Sequence, residues 1–240
     1  GGEYTLTVNP SIGGTVTKNP DLAYYPANSS VTLTANSAVG YSFSAWTGDC
    51  FGQGNICTLT MNSAKIVSAT FTQTEYTLTI TQATGGTIAA VPSGPYHLND
   101  VVTLTATPAD GYSFSAWTGV CSGQLTATCT LTMDGPKSVS ATFTQNEYVL
   151  TITQATGGTI SATPDGPYYL NNVVTLTATP AAGYSFSAWT GDCLGRGNPC
   201  TLAMTEAKSV SATFTQNEYA LTITQATGGT ITASPSGPYH

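Results

Sequence analysis

Glu75-Tyr76-Thr77-Leu78-Thr79-Ile80-Thr81-Gln82-Ala83-Thr84-Gly85-Gly86-Thr87-Ile88-Ala89 is the stretch on which the reading of this chain turns. Tyr76, Leu78 and Ile80 stand at alternate positions, and a period of two places them on one face of a β-strand. Gly85-Gly86 then supplies the positive-φ positions of a tight turn into a second strand, Thr87-Ile88-Ala89, so the stretch reads as a β-hairpin. The same signal stands at Tyr4, Leu6 and Val8 before Gly13-Gly14, and the glycine pair returns at Gly157-Gly158 and Gly228-Gly229.

Working outward, Glu3-Tyr4 recurs as Glu75-Tyr76, Glu147-Tyr148 and Glu218-Tyr219, at intervals of 72, 72 and 71 residues. A fixed period of this size marks tandem modules. The boundaries predicted are residues 3–73, 75–145 and 147–217, with 218–240 as the first hairpin of a fourth repeat cut short. Within a unit the hairpin is followed by a Pro-rich connection and by strands such as Val31-Thr32-Leu33-Thr34-Ala35 and Gly40-Tyr41-Ser42-Phe43-Ser44-Ala45-Trp46. A cysteine-bounded loop comes next, then Cys57-Thr58-Leu59-Thr60-Met61 and the closing strand Val67-Ser68-Ala69-Thr70-Phe71. About six short strands per unit are expected, and almost no helix, because no segment has three-to-four apolar spacing and Thr and Val favour extended backbone.

The joints contain neither Pro nor Gly: Phe71-Thr72-Gln73-Thr74-Glu75-Tyr76 runs from one closing strand almost directly into the next opening strand. Phe71 and Tyr76 are an odd number of residues apart, so the strand phase resets at each joint. A reset by bulge or twist predicts modules set at a constant angle in a rod. At roughly 25 to 35 Å per module the rod would be about 100 Å long.

Charged residues are 7% of the chain, the net charge is −7, and Lys and Arg total five. Phosphate backbones and anionic membranes need clustered cations, so neither nucleic acid nor membrane insertion is expected of this segment. No apolar run approaches the roughly 20 residues of a membrane span. Ser236-Gly237-Pro238-Tyr239-His240 repeats Ser93-Gly94-Pro95-Tyr96-His97 from within an earlier unit. The chain therefore reads as an excerpt, with any export signal or anchor outside it.

Six cysteines fall two to a repeat, as Cys50 and Cys57, Cys121 and Cys129, Cys193 and Cys200. Local pairing is the simplest reading, since a module of this size buries a marginal core and needs a staple. Zinc would need four ligands together, and no histidine accompanies either cysteine. Disulfides imply an oxidising compartment, hence an extracellular or cell-surface location.

Catalytic constellations are missing by comparison among the repeats. Asp49 and Asp192 precede their cysteines where the second repeat has Val120, which reads as a solvated turn position. His97 is not repeated, so no general base, cofactor or metal is expected, and the chain reads as no enzyme. Lys65, Lys137 and Lys208 open the closing strands, as solubilising edge charges or, alternatively, as partners in an isopeptide bond. Strict alternation puts Trp46, Trp117 and Trp189 opposite the Tyr41–Phe43 face, available to sugars. The favoured reading has each one covering its disulfide, or past a bulge and inside the core. Tyr24, Tyr96 and Tyr168, beside Pro-rich turns, are the candidates for exposed aromatic contacts. Alternating Thr, as at Thr103 and Thr105, leaves a polar outer face that strand propensity explains, with sugar or ice binding as rivals.

Written as Tyr-x-Leu-Thr, Gly-Gly-Thr, Val-Thr-Leu-Thr-Ala, Gly-Tyr-Ser-Phe-Ser-Ala-Trp-Thr-Gly, Cys-Thr-Leu and Ser-Ala-Thr-Phe, the unit resembles the divergent internalin-type B repeat of bacterial surface proteins. The resemblance implies a β-grasp-related or small β-sandwich module, used in tandem as a stalk, spacer or adhesive segment. It brings no catalytic residues. The resulting expectation is an all-β structural repeat of a secreted or surface protein, partnered by its neighbouring repeats or by other copies of itself, as a spacer or a fibre. The alternative is an adhesive module that binds surface glycans.

Overall fold

The computed structural model describes every residue from Gly1 to His240, and all of its regular structure is strand. The first repeat contributes β1 (Glu3–Tyr4), β2 (Leu6–Val8), β3 (Gly14–Asn19), β4 (Tyr25–Pro26), β5 (Ser30–Ser37), β6 (Tyr41–Gly48), β7 (Ile56–Thr60) and β8 (Lys65–Gln73). The second contributes β9 (Leu78–Thr81), β10 (Gly86–Val91), β11 (Val101–Pro108), β12 (Tyr112–Gly119), β13 (Thr128–Thr132) and β14 (Lys137–Gln145). The third contributes β15 (Leu150–Ile152), β16 (Gly158–Thr163), β17 (Val173–Pro180), β18 (Tyr184–Gly191), β19 (Cys200–Ala203) and β20 (Lys208–Gln216). By contacts the chain divides into two compact units: Gly1–Thr107 with Ser115–Thr142, and Pro108–Phe114 with Phe143–His240.

In the first unit, the first repeat is a sandwich of two three-stranded sheets. One has the order β3-β5-β7 and is antiparallel throughout. The other has the order β2-β8-β6, with β2 parallel to β8 and β6 antiparallel to it. β5 shows how the sequence builds the core: Val31, Leu33 and Ala35 are buried at alternate positions, while Thr32 and Thr34 face outward. Trp46 and Val67 from the opposite sheet join them in one apolar cluster. The second repeat has the sheet orders β10-β11-β13 and β9-β14-β12, and Val102 and Met133 pack there with Tyr76 and Leu78. In the second unit, the third repeat repeats the plan with β16-β17-β19 and β15-β20-β18.

The hairpin expected at each Gly-Gly pair does not form. The strands on either side of the turn enter different sheets: β2 pairs with β8 and β3 with β5. β9 likewise pairs with β14, and β16 with β17 rather than β15. A glutamine side chain takes over the link. Gln82 donates from Nε2 to the Ile88 carbonyl at 2.9 Å and accepts the Ile88 amide at 2.8 Å; Gln154 does the same for Ile160. One side chain thus satisfies both backbone groups that a hairpin partner would have satisfied. From Glu218 to His240, Gln225 holds Ile231 in the same way, and Tyr219 and Tyr239 form an isolated bridge.

The tryptophans lie inside. β6 carries a bulge between Phe43 and Ala45 opposite Phe71 and Thr70, and β18 carries its counterpart between Phe186 and Ala188. The extra residue shifts the alternation by one, so Trp46 and Trp189 turn onto the core face and are buried. Trp117 is buried as well.

Candidate functional site

The cysteines of each repeat are bonded to each other: Cys50–Cys57, Cys121–Cys129 and Cys193–Cys200, with Cα–Cα separations of 5.8, 6.0 and 6.1 Å. Each bridge closes the loop between the strand carrying the tryptophan and the next strand. The indole N–H reaches into that loop, donating to the Gly54, Thr126 and Gly197 carbonyls at 2.6, 2.9 and 3.0 Å. Loop, disulfide and tryptophan form one unit in every repeat. The loops carry exposed apolar tips at Phe51, Leu125 and Leu194.

Asp49 and Asp192 are more than solvated turn residues. Asp49 Oδ2 accepts the Ile66 amide at 2.7 Å, and Oδ1 lies 3.3 Å from the Lys65 ammonium. Asp192 accepts the Ser209 amide at 2.7 Å and stands 3.4 Å from Lys208. The carboxylates tie the start of the closing strand to the cysteine loop. Where Val120 replaces the aspartate, Lys137 turns to Asp134 at 2.6 Å. The lysines therefore make ion pairs, with Glu206 adding a second one to Lys208. Before each aspartate, Gly48 and Gly191 have φ of +75° and +71°, and a Cβ there would run into the Ile66 or Ser209 carbonyl. Only glycine lets the strands approach this closely.

The Ile66 amide, and after it Lys65, hold the Asp49 carboxyl below its ordinary value of 3.8. The Ser209 amide, followed by Lys208 and Arg196, does the same to Asp192. A depressed folded-state value means that these groups contribute stability above the ordinary carboxylate range and lose it as pH falls through the folded value. Carbon-detected NMR titration should place both midpoints below those of an unstructured aspartate. Lys65→Met should move Asp49 upward without restoring the ordinary value, since the amide is the larger cause. A midpoint at or above the ordinary value would contradict this geometry.

Two of the three tyrosines expected at the surface are buried. Tyr96 and Tyr168 are 8% and 9% exposed, pair in bridges with Tyr76 and Tyr148, and donate their hydroxyls to the Pro92 and Pro164 carbonyls at 2.7 and 2.8 Å. Burial raises both phenol pKa values. Their counterpart in the first repeat is Tyr25, paired with Tyr4 and fully buried, while its neighbour Tyr24 is exposed. The first connection is one residue longer, so Tyr25 and not Tyr24 occupies the position of Tyr96 and Tyr168. His97 is a turn residue whose amide donates to Asp100 Oδ2 at 2.7 Å.

Sequence reasoning located the joint between repeats but missed the contacts that hold it. In the first unit, the Thr74 amide donates to the Gly40 carbonyl at 2.8 Å, Ser42 Oγ lies 3.3 Å from Thr74 Oγ1, and Leu98 of the next repeat rests on Gly40. In the second unit, Asn146 donates to Gly111 at 2.8 Å, Ser113 Oγ donates to Asn146 Oδ1 at 2.7 Å, and Leu170 rests on Gly111. At φ of +81° and +77°, these glycines open the gap that the leucine fills. No single residue type announces such a contact; only the recurrence of Gly40, Gly111 and Gly183 before Tyr could have pointed to it.

No group of three or more His, Cys, Asp or Glu stands close enough to hold a metal ion. Two surface hollows, of about 420 and 390 Å³, are lined by Tyr219, Leu221 and Tyr239 and by Val8, Asn9 and Val16. The threonine face of the third repeat has one full cross-strand row, Thr163–Thr175–Thr201, but the first repeat has Asn19–Thr32–Thr58 there, so the array is not maintained.

A family model described as the divergent InlB B-repeat domain matches the chain three times, over residues 4–75, 76–147 and 148–218. Among solved structures, the chain is similar to the Bacillus anthracis TIE protein, at 8% identity and a TM-score of 0.45, over 86% of this chain and 48% of that one. The chain thus spans about half the length of that protein. No curated protein matches it.

Proposed function

This chain belongs to the divergent InlB B-repeat domain family, and from that premise we propose that it is a spacer: a stalk-forming segment of an extracellular or surface protein, whose work is to hold modules at fixed separation. The observation that carries this reading is the joint. A flexible tether leaves its linker solvated, whereas here the residue after each closing strand is hydrogen-bonded back to the preceding module at 2.8 Å, at Gly40, Gly111 and Gly183. Leucines of the following modules cover the first two of those glycines. Ordering a linker costs conformational entropy, and these contacts offset part of that cost, which favours a fixed spacing over a freely moving tether. The disulfide in each module supports an oxidising, extracellular setting. The family is one of repeats rather than of enzymes.

Electron microscopy of the oxidised chain tests the reading. Separate particles with beads in line at constant spacing, about 100 Å in all, are expected. Collapsed globules or variable bead spacing would overturn it, and continuous fibres would make self-association the function instead. Gly111→Val, which places a branched side chain where Leu170 sits, should make the bead spacing at that joint variable.

A further inference from the structure

We propose that each module is a mechanical clamp, with the short parallel pair formed by its incoming strand and its closing strand as the load-bearing element. After the two-residue β1, which pairs with β4, the chain runs through β2 and leaves the first module through β8, and these two strands lie side by side and parallel, with Leu6, Thr7 and Val8 opposite Lys65, Ile66 and Val67. In the second module, β9 and β14 are parallel from Leu78↔Lys137 to Thr81↔Ser140. In the third, β15 and β20 are parallel from Leu150↔Lys208 to Ile152↔Val210. Force pulling the chain at its two ends draws the start of one strand and the end of the other in opposite directions along a common axis. The pair is sheared rather than peeled, so its evenly spaced hydrogen bonds carry the load together.

The pair is also reinforced at both ends. The Lys65, Lys137 and Lys208 amides donate to the Thr5, Thr77 and Val149 carbonyls at 3.0, 2.9 and 2.9 Å. At the other end, Asn9 and Thr153 donate to the Val67 and Val210 carbonyls at 2.9 and 3.0 Å. Ser140 and Ser211 add side-chain hydrogen bonds to the Thr81 and Thr153 carbonyls, each 2.8 Å long. The outgoing strand is the central one of its sheet, held on its other side by β6 in the first module and β18 in the third. The disulfides lie outside the covalent path of the load: Cys193–Cys200 links the end of the segment after β18 to the start of β19, and cross-links neither loaded strand. The clamp is therefore non-covalent and reversible. This inference takes its biological sense from the spacer reading, but its truth does not depend on that reading.

Single-molecule pulling on the full oxidised chain from its termini provides the test. Three unfolding events of similar force are expected, one per module. Reduction should lengthen each event by about 20 Å, the contour of the seven or eight residues locked behind each disulfide less the distance the closed bridge already spans. Thr153→Pro removes one clamp N–H at an exposed position, so one of the three events should fall in force while the other two stay unchanged. Leu202→Ala, in the sheet opposite the clamp, should lower the melting temperature of the third module more than Thr153→Pro does, yet move its unfolding force less, because forced rupture follows the unfolding rate and not the equilibrium stability. If Leu202→Ala weakens the event as much as Thr153→Pro, or if Thr153→Pro leaves all three events unchanged, the clamp is refuted. Beads in line under the microscope with weak pulling events would leave a spacer without a clamp; strong events in a chain with variable bead spacing would leave clamps without a spacer.

Discussion

Trp189→Ala should unfold the third module and leave the other two folded. Trp189 is fully buried, packs at 5.5 Å from the Phe186 ring, and donates to the Gly197 carbonyl. Removing a buried tryptophan costs roughly 3 to 5 kcal/mol in lost burial and residual cavity, and the Gly197 carbonyl loses its partner besides. A module of about 70 residues has a stability of only a few kcal/mol, so the loss consumes most or all of it. The cations provide a positional readout, since Lys18, Lys65, Lys137, Arg196 and Lys208 are the only tryptic sites. Cleavage at Lys208 should become fast while Lys65 and Lys137 stay protected. Continued protection of Lys208 would show that the tryptophan is not a core residue. Loss of protection at all sites together would show that the modules do not fold separately.

That tryptophan also marks where the sequence could be read and where it could not. Alternation in β5 and the even spacing of cysteines are local signals, and the burial of Val31, Leu33 and Ala35 and the three disulfides follow from them. The bulge is less visible, because its signal is only that a large aromatic falls on the wrong face of an otherwise regular strand. Strand partnership is not local at all. Gly85-Gly86 announces a change of direction but does not specify whether the next strand pairs with the last one, and the answer lies in Lys137–Ser140, more than fifty residues on. Burying both faces of a small sandwich decides that question, and Gln82 makes the outcome tolerable by standing in for the missing hairpin bonds. Tyr96 misled for a related reason: a tyrosine beside prolines reads as a turn residue, yet its hydroxyl finds the Pro92 carbonyl and its ring is free to be buried. The contacts at the joint were illegible because glycine and leucine contribute to them only as a pair across two modules.

Reduction should destabilise all three modules at once, and the effect should be coupled to the tryptophan. Closing a loop of seven or eight residues restricts the unfolded chain by about 2.5 kcal/mol in the chain-entropy model. For modules of this size that corresponds to roughly 10 to 20 °C in melting temperature. The paired substitution Cys193→Ser, Cys200→Ser should confine the same loss to the third module. A purely entropic staple would act independently of the core, but here the closed loop also presents the Gly197 carbonyl to the buried indole N–H. Opening the loop frees the acceptor to fray into solvent and leaves a buried donor with no partner, at a further cost of about 1 to 3 kcal/mol. Trp189→Phe, which keeps most of the ring volume and removes the N–H, should therefore destabilise the oxidised module more than the cysteine-free one. In a double-mutant cycle on the full chain, the sum of the separate losses should exceed the combined loss by about 1 kcal/mol or more. Strict additivity would mean that the loop keeps its shape without the bond, and that the disulfide acts on the unfolded chain alone.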